Sequence, residues 1–164
     1  MKKIIPTILL CGTILVASSF EKGMSALNKG EEQKAYDAFF LSAKSGDIDS
    51  QMILGEMYLD GIGVEADHQK AFFWLSKSAA AGDMEAQYLL GFMYENGLNV
   101  ETDIKRAVKW YTESAIQGDI LSQYNLAVIY KEGKGGIDKD MKQAFKWLNM
   151  VQKARENMEF VAIK

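Results

Sequence analysis

The chain has 164 residues, of which 48% are hydrophobic and 25% are charged, and this length is sufficient to bury one domain core. Its 19 basic and 22 acidic residues give a formal net charge of −3. Nucleic-acid binding requires a basic surface that neutralises phosphates, so this mildly acidic balance argues against a nucleic-acid partner.

The first predicted element is a secretory signal peptide, residues 1–19. Lys2 and Lys3 precede an uncharged, mostly apolar run at residues 4–16, and small residues follow it. We place the cleavage after Ser19. Because the run is shorter than the ~20 apolar residues of a spanning helix, a retained anchor is the less favoured alternative. We therefore expect an exported protein, periplasmic or secreted, without a stable membrane span after cleavage.

Cys11 offers a further interpretation of this segment, a lipoprotein signal. Leu9 and Leu10 precede it where such a signal needs a small residue, so we do not favour lipidation. Cys11 is also the only cysteine of the chain. Its removal with the signal peptide would leave a protein without disulfides, which packing alone must hold together.

Residues 20–45 are predicted to form an N-terminal capping hairpin. The stretch FEKGMSALNKG is followed by EEQKAYDAFFLSAKSG, so that a glycine turn separates two helical segments. Ala35 and Ala43 match Ala71 and Ala79, which lie 36 residues later. The hairpin is therefore an incomplete copy of the unit that follows it.

The rest of the chain repeats one unit of 36 residues. The lines GDIDSQMILGEMYLDG, GDMEAQYLLGFMYENG and GDILSQYNLAVIYKEG begin at positions 46, 82 and 118. We assign the repeats to residues 46–81, 82–117 and 118–157, the last including a C-terminal capping helix, and we leave residues 158–164 as a tail. Such regularity predicts stacked units that display a surface and argues against a single catalytic centre.

Each repeat predicts two helices with recurring start and stop residues. An aspartate before a helix can accept backbone N–H groups as an N-cap. The aspartates in this position are Asp47, Asp67, Asp83, Asp103, Asp119 and Asp140. Glycine readily adopts the left-handed conformation that ends a helix. The glycines at the ends of the first helices are Gly61, Gly97 and Gly133. We place the one extra residue of the third repeat in the loop between its helices.

Small and aromatic residues at repeated positions predict the core. Gly55 and Gly91 lie inside first helices, where glycine costs about 1 kcal/mol relative to alanine, and Ala127 takes the same position in the third repeat. Their recurrence predicts the close approach of a neighbouring helix. We assign the recurring aromatic residues to the core as well. They are Tyr58, Trp74, Tyr94, Trp110, Tyr130 and Trp147.

The repeated order is small residue, Gly-Asp, Leu-Gly, Tyr, Gly-x-Gly-Val, Asp, Lys-Ala and Trp. This order resembles the Sel1-like repeat, a relative of the tetratricopeptide repeat, from about Ala43 to Trp147, with departures at Asn99 and in the third loop. The resemblance implies an all-α fold, a right-handed α-solenoid of about four helix-turn-helix hairpins. It also implies an adaptor in the bacterial envelope or in secretion, whose partner is another protein or a peptide.

The side of the first helices that varies between repeats is the candidate binding surface, and in similar solenoids this side lines the concave face. The residues that we assign to this groove are Met52, Glu56, Glu85, Tyr88, Phe92, Glu95, Tyr124, Val128 and Lys131. Apolar side chains beside a mostly acidic edge suit a short helix or an extended peptide with apolar anchors and some positive charge. Alternatively, the next hairpin covers the apolar side chains; we most expect exposure at Tyr88 and Phe92.

Catalysis has little support in the sequence. His68 is the only histidine, and the aspartates are spaced by one repeat, so we predict no enzyme, no metal site and no cofactor. The glycine-rich loops lack the Gly-Lys-Ser or Gly-Lys-Thr of a phosphate loop. Two alternatives to the scaffold are a periplasmic immunity protein that inhibits a secreted toxic effector and, with the least support, a cell-wall hydrolase. Self-association through the solenoid ends stays open.

Overall fold

The computed structural model describes residues 19–162, with side chains through residue 157, and this part of the chain contains eight helices and no strand. The predicted signal peptide lies outside the described residues apart from Ser19. The first helix, α1, spans residues 19–28. The others are α2 (Glu32–Lys44), α3 (Ile48–Asp60), α4 (His68–Ala80), α5 (Met84–Asn96), α6 (Ile104–Gln117), α7 (Ile120–Glu132) and α8 (Met141–Ala162).

Helix α8 includes most of the segment that the sequence left as a tail, because it continues to Ala162. None of the helices within residues 19–162 combines the length and the apolar composition needed to cross a membrane.

The chain divides into two compact units, residues 1–78 and 79–164. In the first, helix α2 packs on α3; in the second, α5 packs on α6, α6 on α7 and α7 on α8. Each unit has its own apolar core. The largest fully buried apolar side chains are Phe39, Leu54 and Leu75 in unit 1, and Leu90, Met93, Tyr111, Leu126 and Ile129 in unit 2.

The predicted helix starts are confirmed at all six aspartates. Each carboxylate accepts a hydrogen bond from a backbone N–H two or three residues later, at 2.6 to 3.0 Å. These bonds satisfy N–H groups that have no partner within the helix. The predicted helix ends are confirmed too, because Gly61, Gly97 and Gly133 adopt left-handed φ values of 71° to 72°.

An equivalent backbone hydrogen bond closes the loop inside each of these hairpins. The N–H of Asp67 donates to the carbonyl of Tyr58 at 2.8 Å, and the N–H of Asp140 donates to the carbonyl of Tyr130 at 2.8 Å across one residue more. The extra residue of the third repeat is therefore contained in its loop, as predicted. Asn99, which stands where the first repeat has glycine, adopts a left-handed φ of 62°, which asparagine tolerates better than most residues.

Close helix packing at the small residues is confirmed. A Cβ atom on Gly91 would lie 2.6 Å from Cδ1 of Tyr111, and one on Gly55 would overlap the side chain of Leu75. Both neighbours are fully buried and belong to the second helix of the same hairpin. In these two hairpins the second helix therefore packs against the backbone of the first.

A buried glutamine near the start of each repeat's first helix connects that helix to the preceding one. Its Nε2 donates to the carbonyl eight residues earlier, at 3.1 to 3.2 Å. The three donors are Gln51, Gln87 and Gln123, and the acceptors are Ala43, Ala79 and Ala115. Each of these carbonyls also accepts from the N–H of the glycine three residues later. The glutamine therefore uses the second acceptor position of the carbonyl and ties the start of one helix to the end of the preceding one.

The prediction of a core position is confirmed for four of the six repeated aromatic residues and wrong for Trp110. Trp74 is buried, and the ring of Phe73 packs against it with 5.0 Å between centroids. The equivalent neighbour of Trp110 is Lys109, whose Nζ lies 5.8 Å from the indole centroid. Trp110 is half-buried. Trp147 also has a lysine over its indole, with Nζ of Lys146 4.9 Å from the centroid, and it is buried, so the lysine neighbour does not explain the exposure of Trp110.

The core prediction is also wrong for Tyr130, which is half-buried. In the first repeat, Lys70 lies over the buried Tyr58, with Nζ 5.2 Å from the ring centroid. The equivalent position in the third repeat holds Gln143. This side chain is shorter and uncharged, so it provides neither the aliphatic cover nor the cation–π contact of a lysine.

Replacing Gly91 with alanine should destabilise the protein. Helix propensity alone would stabilise the variant by about 1 kcal/mol, but the added methyl group must displace the buried ring of Tyr111. We expect Gly91→Ala to lower the free energy of unfolding by about 1–3 kcal/mol in urea titrations followed by circular dichroism. A variant more stable than the parent would show that the two helices have room to separate.

Candidate protein-binding surface

The nine residues predicted to form the groove lie on the first helices of the three repeats. Helix α3 in unit 1 carries Met52 and Glu56, both half-buried. Helices α5 and α7 in unit 2 carry the remaining seven, Glu85, Tyr88, Phe92, Glu95, Tyr124, Val128 and Lys131.

Two aromatic side chains of this surface are exposed. Phe92 on α5 is 38% exposed and Tyr124 on α7 is 53% exposed. Tyr88 and Val128 are half-buried. The expected exposure is therefore found at Phe92, whereas Tyr88 is partly covered by its own unit. Exposed aromatic side chains of this size provide apolar anchors for a partner.

Tyr88 packs against the buried Tyr111 of α6. The two ring centroids are 5.9 Å apart and the rings are inclined by 34°. Burial raises the pKa of the Tyr88 phenol, and the carboxylates of Asp119 and Glu95 raise it further. Tyr88 is thus a neutral hydrogen-bonding side chain at ordinary pH, with one face held by the core.

Glu95 is fixed by two partners inside unit 2. The hydroxyl of Tyr111 donates to its Oε2 at 2.7 Å, and Nζ of Lys134 lies 2.6 Å from its Oε1. Lys134 belongs to the loop after α7, so the pair joins that loop to the end of α5. Glu95 therefore contributes mainly to the geometry of this surface, and its charge is balanced by Lys134.

Tyr111 is the residue that the sequence analysis missed. Burial raises its pKa, and so do the hydrogen bond to Glu95 and the charge of that carboxylate, while a hydrogen bond with Asn125 acts in the opposite direction. The equivalent residues in the other repeats are Leu75 and Leu148. Since the Tyr111–Glu95 bond occurs in one repeat only, the repeat pattern carried no signal for it.

Negative charge is concentrated where α5 and α7 begin. Glu85 lies in the first turn of α5, and its pKa is raised by partial burial and then by the carboxylates of Asp83 and Asp119. The last two are the N-caps of α5 and α7. Lys131 is exposed near the opposite end of α7. The surface is therefore acidic at the helix starts and carries a cation towards the helix ends.

No arrangement for metal binding is found among the described residues. His68 is exposed at the start of α4, and this part of the chain holds no group of three or more His, Cys, Asp or Glu side chains placed to bind a metal ion. What the described surface offers is exposed aromatic side chains and a polarised edge.

Replacing Tyr111 with phenylalanine should destabilise the protein at neutral pH by about 1–3 kcal/mol, because a half-buried carboxylate loses a donor. Urea unfolding would measure the change. The replacement should also reduce the alkaline loss of stability. The Tyr111 pKa is raised in the folded state, so above pH of about 10 the unfolded chain loses this proton first and stability falls as pH rises.

The matched control is Tyr124→Phe, which removes the same hydroxyl from an exposed position and should change stability by less than about 0.5 kcal/mol. The structural role of the Tyr111 hydroxyl would be contradicted if the two variants lost equal stability. It would also be contradicted if the stability of Tyr111→Phe fell at alkaline pH as much as that of the parent.

Three segments of the chain match the Sel1 repeat, at residues 48–83, 85–119 and 120–150, which together make up more than half of the sequence. Among curated proteins, none matches this chain significantly.

Solved structures with the same fold include two of substantial sequence identity. One is c5321, described as a protective antigen present in uropathogenic Escherichia coli strains and displaying an SLR fold; it is 31% identical, with a TM-score of 0.80, over 90% of this chain and 34% of that one. The other is a Sel1 repeat protein from Oxalobacter formigenes, 29% identical with a TM-score of 0.74, over 83% of this chain and 56% of that one. This chain thus spans about a third of the length of c5321 and just over half of the length of the Oxalobacter formigenes protein.

These matches confirm the predicted fold class, an all-α solenoid built from helical hairpins. Proteins with Sel1 repeats are generally non-catalytic scaffolds, and their repeats usually mediate protein binding. With three matched repeats covering most of its length, the chain belongs to the Sel1 repeat family.

Proposed function

We propose that the protein is an exported scaffold that binds another protein through the variable face of its first helices. The single observation that carries this proposal is the pair of exposed aromatic side chains, Phe92 and Tyr124, on α5 and α7, two helices whose starts are acidic. The fold does not require an aromatic residue at the Phe92 position, since the equivalent residues are Glu56 and Val128. An exposed aromatic residue that the repeat does not require is well suited to contact a partner.

Charge defines the kind of segment that this surface suits. Glu85, Asp83 and Asp119 place negative charge at one end of the helices, whereas the charge of Glu95 is balanced by Lys134. A bound peptide would place a lysine or arginine near the helix starts and apolar side chains against Phe92 and Tyr124. On α3 in unit 1, Met52 and Glu56 are proposed separately, as residues of that unit that contact a partner.

Export is the second part of the proposal, and it rests on the sequence of residues 1–19. The compartment would be the periplasm or the exterior of the cell. The scaffold and immunity functions both use a protein-binding surface, and they differ in the protein bound. An envelope or secreted component would indicate an adaptor, and a toxic effector would indicate an inhibitor.

The test is affinity capture from envelope extract with the full chain, tagged at its C-terminus and expressed from residue 1. The native bait is compared with Phe92→Glu/Tyr124→Glu. The matched control is Ile116→Glu/Phe145→Glu, which replaces two exposed apolar side chains on second helices of the same unit. We expect some proteins to be recovered with both the native and the control bait. Their recovery with the groove variant should be at least about ten-fold lower.

Equal losses with both variants would indicate general adhesion to apolar surface, and equal recovery with all three baits would place the binding site elsewhere; either result contradicts the proposed surface. Circular dichroism melts establish that the variants are folded. The N-terminal residue of the recovered bait tests export separately, and we expect it to be Phe20.

A further inference from the structure

Unit 1 carries a second surface that the sequence analysis did not identify, on the second helices α2 and α4. It combines aromatic rings, an exposed leucine and two lysines, and we name it the cation–aromatic patch. Its members are Phe40, Leu41 and Lys44 on α2, and Phe73, Trp74 and Lys77 on α4.

Three rings form the base of this patch. The rings of Phe40 and Trp74 are in edge contact, with 6.2 Å between centroids and 79° between planes. Those of Phe73 and Trp74 are also in edge contact, at 5.0 Å and 78°. The buried Trp74 of α4 thus contacts both Phe40 of α2 and Phe73 of α4. The rings therefore form a continuous aromatic row across two helices.

A lysine ammonium group lies over each end of the aromatic row. Nζ of Lys44 is 5.5 Å from the Phe40 centroid, and Nζ of Lys77 is 4.6 Å from the Phe73 centroid and 5.2 Å from that of Trp74. Both lysines are exposed. Within residues 19–157, neither has a carboxylate in ion-pair distance. A ring contacts one side of each ammonium group, and the other side can still bind an anion.

The patch also exposes apolar surface next to these charges. Phe73 is 51% exposed and Leu41 is 52% exposed. Each has a larger exposed fraction than Phe92 of the proposed groove. Exposed apolar side chains with a rim of polar or charged groups are typical of a protein-binding surface.

The repeat does not explain these residues. One repeat after Phe73 the chain has Lys109, and one repeat after Lys77 it has Glu113. Only Trp74 has the same residue in the next repeat, Trp110. A side chain required for stacking hairpins would recur, as the capping aspartates do, so the patch is not a consequence of the fold.

We propose that the cation–aromatic patch binds a second protein segment, one that carries acidic side chains beside apolar anchors. Its carboxylates would pair with Lys44 and Lys77, and its apolar side chains would cover Leu41 and Phe73. Two lysines are too few to hold nucleic acid or a membrane surface against a net negative charge, whereas they suffice to orient a short acidic segment. Because the proposed groove favours basic segments, the two surfaces select different partners, and this inference does not depend on the groove.

Peptide display against the full chain tests both surfaces in one experiment. A random library of short peptides is selected on the native protein and on Lys44→Glu/Lys77→Glu. The matched control is Lys109→Glu/Lys146→Glu, which reverses two lysines that lie over Trp110 and Trp147. A second patch variant, Phe73→Ser, retains both charges and removes the exposed ring. Fluorescence anisotropy with one labelled synthetic peptide from the selected acidic class then measures affinity.

We expect the native chain and the control to select peptides that combine Asp or Glu with Leu or Phe. Both patch variants should bind the labelled acidic peptide at least about ten-fold more weakly. The patch variants should select basic peptides as the native chain does, and only Phe92→Glu/Tyr124→Glu should lose them. Failure of the groove and failure of the patch are therefore distinguishable.

Three results would overturn the proposal. The first is the absence of an acidic class, and the second is an acidic class bound equally by the control and both patch variants. The third is binding to phosphatidylglycerol vesicles that depends on Lys44 and Lys77 while no acidic peptide binds, which would identify a lipid surface instead.

Discussion

The surface of unit 2 depends on how closely α6 approaches α5. At Gly91 the absence of a Cβ atom allows the ring of Tyr111 to pack against the backbone of α5. Protein interiors are too dense for such a ring to shift, so its hydroxyl is held in a position where it donates to Glu95. Glu95 in turn fixes Lys134 and the loop after α7. One missing methyl group thus influences side chains on α5, on α6 and in the loop after α7.

Features that recur in the chain were predictable from the sequence. The capping aspartates and the glycines that end the first helices each appear at the same spacing, and each has a local physical role that does not depend on distant neighbours. Gly55 and Gly91 recur as well, although their role depends on Leu75 and Tyr111 in the second helices. Repetition therefore served as an internal control on each assignment. The core position of Tyr130 failed because burial depends on the neighbouring side chain, and Gln143 differs from its counterpart Lys70. The exposure of Trp110 has no such explanation, since the buried Trp147 also follows a lysine.

Features that occur once were the ones the sequence could not supply. The contact between Tyr111 and Glu95 joins residues 16 apart in a single repeat, and the aromatic row of the patch joins α2 to α4. Such pairs become visible only when the packing of the helices is known. Placement of the groove residues on the first helices followed from helical periodicity, but the periodicity did not distinguish the exposed Phe92 from the half-buried Tyr88.

The loop of the third repeat absorbs an extra residue without displacing the backbone bond between Asp140 and Tyr130. Chain length in this loop is thus uncoupled from the register of α7 and α8. Gly135 has no space for a side chain because Ile104 packs on it, whereas only the end of Lys105 lies near Gly136. The peptide bond after Gly136 is part of a turn, because the N–H of Ile137 donates to the carbonyl of Lys134 at 3.1 Å. Natural insertions or deletions at this point would therefore alter the turn that carries Lys134, while the bond between Asp140 and Tyr130 keeps the ends of α7 and α8 together.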